Sequence, residues 1–153
     1  MTDERMTLNE FHAKIAKETN NAIWPTLDKE NPSSQELEEA LHMAHTSTYH
    51  WSKVGQPINI ARGEYMISRV NSAMKRGHSA LAHAERSLSI AQSTEHKDWD
   101  IAFAYEAITR AYAALQDKKK YEEYKKLAQK TIDTLADEED KNICQGELDK
   151  AGF

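Results

Sequence analysis

Residues 100–128 read DIAFAYEAITRAYAALQDKKKYEEYKKLA. Ile101, Tyr105, Ile108, Tyr112 and Leu115 recur at steps of three and four, which puts them on one side of a 3.6-residue helical turn. The stripe stops at Gln116-Asp117, a polar pair suited to a turn, and a second one opens with Tyr121, Tyr124 and Ala128 and runs on through Ile132 and Leu135. Two amphipathic helices joined by so short a turn must lie side by side and antiparallel. No stretch of the chain alternates apolar and polar residues long enough to argue a strand. The stretch therefore predicts an all-α protein assembled from helical hairpins.

The same spacing extends outward. A first helix is expected over 8–22, capped by Thr7, with Leu8, Phe11, Ile15 and Thr19 as its apolar side. TLDKENPSSQ, beginning just after Pro25 and containing Pro32, reads as a polar connection. A second helix starts after Ser33-Ser34, good N-cap residues with Glu36 close behind, and ends at Gly55; its stripe is Leu37, Leu41, Ala44, Thr48 and Trp51. A third runs over 57–76 with Pro57 in its first turn and Ile60, Ile67, Val70 and Met74 inward. A fourth, over 79–92, carries Leu81, Ala84, Leu88 and Ala91, and STEHKDWD then leads to the fifth, over 99–115. The sixth covers 118–135, and a seventh, over 138–150, shows Ile143 and Leu148. With 153 residues these seven helices suit one domain: an N-terminal helix and linker over 1–35, a core over 36–135 and a capping helix over 136–153.

An internal repeat lies within this pattern. Ala40-Leu41-x-x-Ala44-His45-x-Ser47 returns forty positions later as Ala80-Leu81-x-x-Ala84-Glu85-x-Ser87. RVNSAMKRG, ending at Gly77, and RAYAALQD, ending at Asp117, each close one helix and open another. The stretch 100–128 resembles a tetratricopeptide repeat, a helix pair of about 34 residues with small and aromatic residues at fixed places. Ile108, Tyr112, the Gln116-Asp117 turn, Tyr121 and Ala128 fall near those places. It departs from the family at Thr109 and Gln116, where small residues or Gly are usual, and at Tyr121, where Ala is usual. The pair from Ile60 to Ile90 matches through Gly63, Gly77, Ala80, Ala84 and Leu88, and the period is nearer 40 because STEHKDWD lengthens one connection. YHWSKVGQPINIARGEYMISRV followed by DWDIAFAYEAITRAYA also resembles an uncharacterised group of bacterial tetratricopeptide-like proteins, over residues 36–145. The resemblance implies a right-handed stack of antiparallel helical hairpins and implies no reaction. A hairpin cannot bury its apolar face alone, so neighbours stack, the stack curves, and its inner surface offers a groove.

Composition narrows the function classes. A net charge of −5 argues against a nucleic-acid partner, which needs a dense cationic surface. The run Lys118-Lys119-Lys120 with Lys125 and Lys126 is interleaved with Glu122 and Glu123 and reads as a solvated, salt-bridged helix face. No apolar run approaches the roughly 20 residues that span a bilayer, so no membrane partner is expected. MTDERMTLNE lacks the basic and apolar regions of a signal peptide, and the lone Cys144 fits a reducing compartment; the expected location is cytoplasmic. No glycine-rich phosphate loop, nucleophile elbow or Cys-x-x-Cys is present, and no cofactor is expected.

Two stretches hold the candidate site. In HMAHTSTYHW, residues 42–51, a helix places His42, His45 and Tyr49 on one stripe continuing from Glu38, while His50 points elsewhere. In ARGEYMISR, residues 61–69, Arg62 and Arg69 share a side with Tyr65 and Met66 between them. Antiparallel packing would carry these arginines toward His45 and Tyr49, and guanidinium forks suit carboxylates and phosphates. The expected ligand site is His45, Tyr49, Arg62, Tyr65, Arg69 and Glu106, receiving an acidic peptide, a chain terminus or a small anion. The opposing reading pairs the arginines with Glu36, Glu38, Glu64 or Glu106 for support. Glu106 and Arg110 are expected to form an ion pair, and Asp98 and Asp100 to open a helix around a buried Trp99. The chain thus reads as a non-enzymatic binding module with a protein or peptide partner. One alternative is a metal-dependent enzyme on Glu38, His42, His45 and His83, although His-Glu-x-x-His is absent and Glu39-x-x-His42 occurs once where a di-iron site needs two. The other is a structural homo-oligomer joined through an apolar end of the stack.

Overall fold

Side-chain caps set where the helices begin. Thr7 and Ser33 each accept a hydrogen bond from the backbone N–H three residues on, Glu10 and Glu36, whose carboxylates reach back to the cap N–H. Asp117 and Asp137 cap in the simpler way, accepting from the N–H groups of Lys120 and Asp140. The computed structural model describes residues 5–153; the first four residues of MTDERMTLNE lie outside it. Seven helices follow: α1 (Leu8–Leu27), α2 (Ser34–Val54), α3 (Pro57–Ala73), α4 (Gly77–Gln92), α5 (Asp98–Ala114), α6 (Lys118–Asp133) and α7 (Glu138–Asp149).

Each helix packs on the next in sequence, as hairpins require. In addition α1 packs on α3, α3 on α5 and α5 on α7, whereas α2, α4 and α6 make no close backbone packing with one another, and α2 and α4 meet only through side chains such as His45 and His83. The odd-numbered helices therefore form one continuous layer and the even-numbered helices a second. One apolar cluster joins α1 to α5 around Ile23, Met66, Ile67, Val70 and Ile108. A second, around Ala128, Ile132, Cys144 and Leu148, joins α5 to α7.

The repeat has a physical counterpart. Ser47 donates to the carbonyl of Ala16 and Ser87 to that of Ala61, both at 2.7 Å, so the two matching serines tie their hairpins in the same way. The turns after α3 and α5 also match. Lys75 and Gln116 both stand at φ 61°, and the following amides, Arg76 and Asp117, reach back to the carbonyls of Asn71 and Tyr112 at 2.9 and 3.0 Å. That left-handed position is where glycine is usual, which gives the departure at Gln116 its structural meaning.

Several expectations are corrected. α1 continues past residue 22, through Pro25, to Leu27, and its buried residues are Ala16 and Ile23 rather than Leu8 and Phe11. Lying at one end of the stack, α1 has only α2 and α3 to pack on, which leaves Leu8 68% exposed. On α5 only Ile108 of the expected stripe is fully buried; Ala102, Ala104, Ala107 and Ala111 are buried with it, because α3, α4, α6 and α7 surround this helix and large side chains would hold them apart. On α7, Ile143 faces out and its neighbour Cys144 packs inward with Leu148. Trp99 is half-buried rather than buried. Among the described residues no helix is long and apolar enough to cross a membrane.

Candidate ligand-binding site

The layer of odd-numbered helices carries buried charge. Arg69 on α3 is 5% exposed and Glu106 on α5 is 1% exposed. Burying either charge alone would be strongly unfavourable, so each must be paired and hydrogen-bonded. The Tyr65 hydroxyl donates to Glu106 Oε1 at 2.6 Å and accepts from Arg69 Nη1 at 2.6 Å. Arg69 Nη2 lies 3.2 Å from Glu147 Oε2 on α7, and its guanidinium sits 5.5 Å from the centre of the Trp24 ring on α1. Arg110, one turn below Glu106, gives it Nε and gives Nη2 to the Glu147 carbonyl at 2.8 Å and to Oε2 at 3.3 Å. Trp24, Arg69, Arg110 and Glu147 thus form a row across the four odd-numbered helices.

The electrostatics follow from this enclosure. Burial pushes the Tyr65 phenol well above its ordinary value, with Glu106 adding to the rise, so the hydroxyl stays protonated and remains a donor. Burial works against the Arg69 cation, but Tyr65, Glu106 and Glu147 together outweigh it and raise its pKa above the ordinary arginine value.

Beside an opening of about 680 Å³ at the α1–α2 connection, lined by Asp28, Glu30, Arg69, Arg110 and Glu147 among others, two more flank this row. One is a cavity of about 150 Å³ walled by Trp24, Met66, Trp99 and Phe103. Arg62 stands at it, gripping Asp100 through Nε at 2.9 Å and Nη2 at 3.0 Å, with its guanidinium 4.6 Å from the centre of the Trp99 ring. Asp100 also accepts from the Lys97 N–H at 2.9 Å, so one carboxylate both opens α5 and orients Arg62. The other opening, of about 290 Å³, lies where the odd-numbered helices end, among Arg69, Ser72, Lys75, Arg110, Gln116 and Lys150.

Of the expected site, Tyr65, Arg69 and Glu106 come together, and Arg62 lies along the same helix at the aromatic cavity. His45 and Tyr49 do not join them. The edge of α2 that packs inward is Leu37, Ala40, Ala44 and Ser47, which turns the stripe Glu38, His42, His45 and Tyr49 outward. Tyr49 is 56% exposed, against His50 and Lys53. His45 lies beside His83, ring centres 6.0 Å apart, and His83 itself binds Glu64. Glu38 and His42 are exposed, and among the described residues no three His, Cys, Asp or Glu side chains are placed to hold a metal ion. The arginines do meet carboxylates, but chiefly other ones than expected: Asp100 for Arg62, and Glu147 beside Glu106 for Arg69.

Trp24, Ser72, Lys75 and Lys150 line the 150 and 290 Å³ openings, and Glu147 joins the charged row between them, without having stood out in the sequence. The available signal was the repeat, since Arg110 follows Arg69 at the spacing of the two turns. Set against known proteins, the chain matches no protein-family model and no curated sequence.

Proposed function

We propose that the chain is a non-enzymatic binding module of tetratricopeptide-like construction that receives a peptide or protein segment along the layer of α1, α3, α5 and α7. The observation that carries this reading is the aromatic cavity of Trp24, Trp99 and Phe103 with the Arg62–Asp100 pair at it. Half-buried aromatics next to an accessible arginine are the composition of an interface anchor. A side chain entering the cavity would bury apolar area while its backbone or a neighbouring carboxylate met Arg62. The charged row of Arg69, Glu106, Arg110 and Glu147 supports this by holding the walls of the face rigid, which lowers the ordering cost of binding.

Arg62 is the clean probe, because its side chain is 40% exposed whereas Arg69 is part of the core. The test is a peptide library with acidic and aromatic members, read by tryptophan fluorescence, since Trp24 and Trp99 line the cavity. Binding should perturb the emission, and Arg62→Ala should weaken it about tenfold with the helical circular dichroism unchanged. Hits that ignore both Arg62→Ala and Phe103→Ala would refute the assignment.

A homo-oligomer is a second reading, favoured by the exposed Leu8, Phe11 and Tyr49 at the α1 end. Sedimentation equilibrium of wild type against Leu8→Glu/Phe11→Glu decides it: a dimer that the variant splits supports it, and a monomeric wild type removes it.

A further inference from the structure

Asn20 and Asn21 lie inside α1, where asparagine is a poor helix former. Neither side chain bonds to any described residue, and Lys17, one turn earlier, makes no ion pair among the described residues. Helix formation and internal bonding therefore do not account for these three. They share a side of α1 with Trp24, at steps of three and four. On α3, which packs against α1, Asn59, Arg62 and Met66 follow the same steps. Both rows end at the aromatic cavity of about 150 Å³ and begin in a second space of about 250 Å³, walled by Trp51 of α2. Asn20 and Arg62 line both, so the two spaces adjoin.

The donors of the second space are within reach of a ligand. Lys17 and Asn21 are exposed, and Asn20, Asn59 and Arg62 are half-buried. Asn59 Oδ1 accepts from the Gln56 N–H at 2.9 Å, which orients its amide and leaves the NH2 group. Arg62 gives Nε and Nη2 to Asp100 and keeps Nη1. Among the described residues no acidic side chain lines the second space. Asp100 stands at the aromatic cavity, but its side chain is 5% exposed and its oxygens accept from Arg62 and from the Lys97 N–H. It offsets the charge of Arg62 and leaves Lys17 as one net cation, which suits a monoanion. The cavity has a selectivity of its own. A space of about 150 Å³ with apolar walls is enough for a benzene ring.

We infer that the two spaces together bind an aryl carboxylate, its ring among Trp24, Trp99 and Phe103 and its carboxylate between Lys17, Asn20 and Arg62 Nη1, with the Asn59 amide beside them. Since Asn20 and Arg62 stand in both spaces, a short linker joins ring and acid. Planar amides and a guanidinium match a planar carboxylate in shape as well as charge. Two ligands share this chemistry: a peptide whose last residue is aromatic, and a free arylalkanoic acid. The inference rests on the cavity of the peptide reading and adds what that reading does not require, a free carboxylate next to the ring.

The experiment is titration, by tryptophan emission and calorimetry, with 3-phenylpropionate and with an N-acetylated peptide ending in phenylalanine, each against its primary amide. Wild type should bind each acid about tenfold more tightly than its amide. Lys17→Ala should remove most of that preference and leave amide binding unchanged. Because Lys17 is exposed and unpaired, the variant should melt as wild type does. Phe103→Ala should weaken acid and amide alike. Tighter binding of the peptide acid assigns a chain end, and tighter binding of 3-phenylpropionate assigns the small acid. Acid and amide binding alike to wild type, an acid preference untouched by Lys17→Ala, or no binding of either acid overturns the carboxylate site. In each of those cases, library peptides lost with Arg62→Ala leave the peptide reading standing, so the two failures are told apart.

Discussion

Glu106→Gln keeps the shape of a buried side chain and removes one charge. In the wild type this carboxylate accepts from the Tyr65 hydroxyl at 2.6 Å, binds Arg110 Nε, and lies 3.7 Å from Arg69 Nη1. Removing one partner of a buried ion pair costs about 3–5 kcal/mol, because the charge left behind is uncompensated. Here Glu147 remains, 3.2 Å from Arg69 and 3.3 Å from Arg110, so two guanidiniums would share one carboxylate. The amide still accepts one hydrogen bond. Both features place the expected loss at the low end, about 3 kcal/mol, or about 6–12 °C in Tm for a chain of this length. Urea unfolding followed by circular dichroism measures it, with an unchanged m-value showing that the native state is otherwise intact. A cycle with Arg110→Met should give a coupling energy above about 1 kcal/mol. A loss below about 1 kcal/mol for Glu106→Gln would refute the claim that this charge is what holds the arginines in place.

Gln116→Gly should stabilise the protein by about 0.5–1 kcal/mol, since it removes a left-handed strain at φ 61° and returns part of that in chain entropy; a higher urea midpoint is the readout. Gly63→Ala should cost about 1–3 kcal/mol in the same assay, because a Cβ there would come within 2.3 Å of Thr48 Oγ1 and force α2 and α3 apart. Burial, with Glu106 contributing, pushes the Cys144 thiol from the ordinary 9 up to about 12. A folded pKa above the unfolded one means that its contribution is complete below about pH 9 and is lost as pH climbs toward 12. Wild-type stability should therefore fall across that window more steeply than that of Cys144→Ala.

Helix number and order could be read from spacing and caps, because Thr7, Ser33 and the Gln116-Asp117 turn act locally and each leaves its mark within a few residues. Which side of a helix is buried was harder to read. On α5 the large residues Ile101, Tyr105 and Tyr112 pointed to one stripe, but a helix enclosed by four others is buried through its alanines, and Ala carries little weight in a hydrophobic pattern. The inner site was legible only where its residues share a helix: Arg62, Tyr65 and Arg69 on α3, Glu106 and Arg110 on α5. Glu147 joins them from a segment whose own composition is that of an ordinary polar cap. His45 and Tyr49 were drawn in by the density of HMAHTSTYHW, and the rotation of α2 that takes them away is set by Ala40, Ala44 and Ser47, small residues whose force lies in how closely they let α1 approach.

The Glu147 carboxylate bridges helices that do not otherwise meet, since α3 and α7 make no direct packing contact. In a stack where each hairpin touches only its neighbours, the ends open first and independently. Here α7 cannot peel away without breaking its half-buried Glu147 from Arg69, an arginine buried in the middle of the array. Amide exchange in α7 should consequently track that of α3 rather than that of an unattached terminal helix, and neutralising Glu147 should let the last helix fray by itself. One side chain converts a chain of nearest-neighbour couplings into a partly closed loop of them.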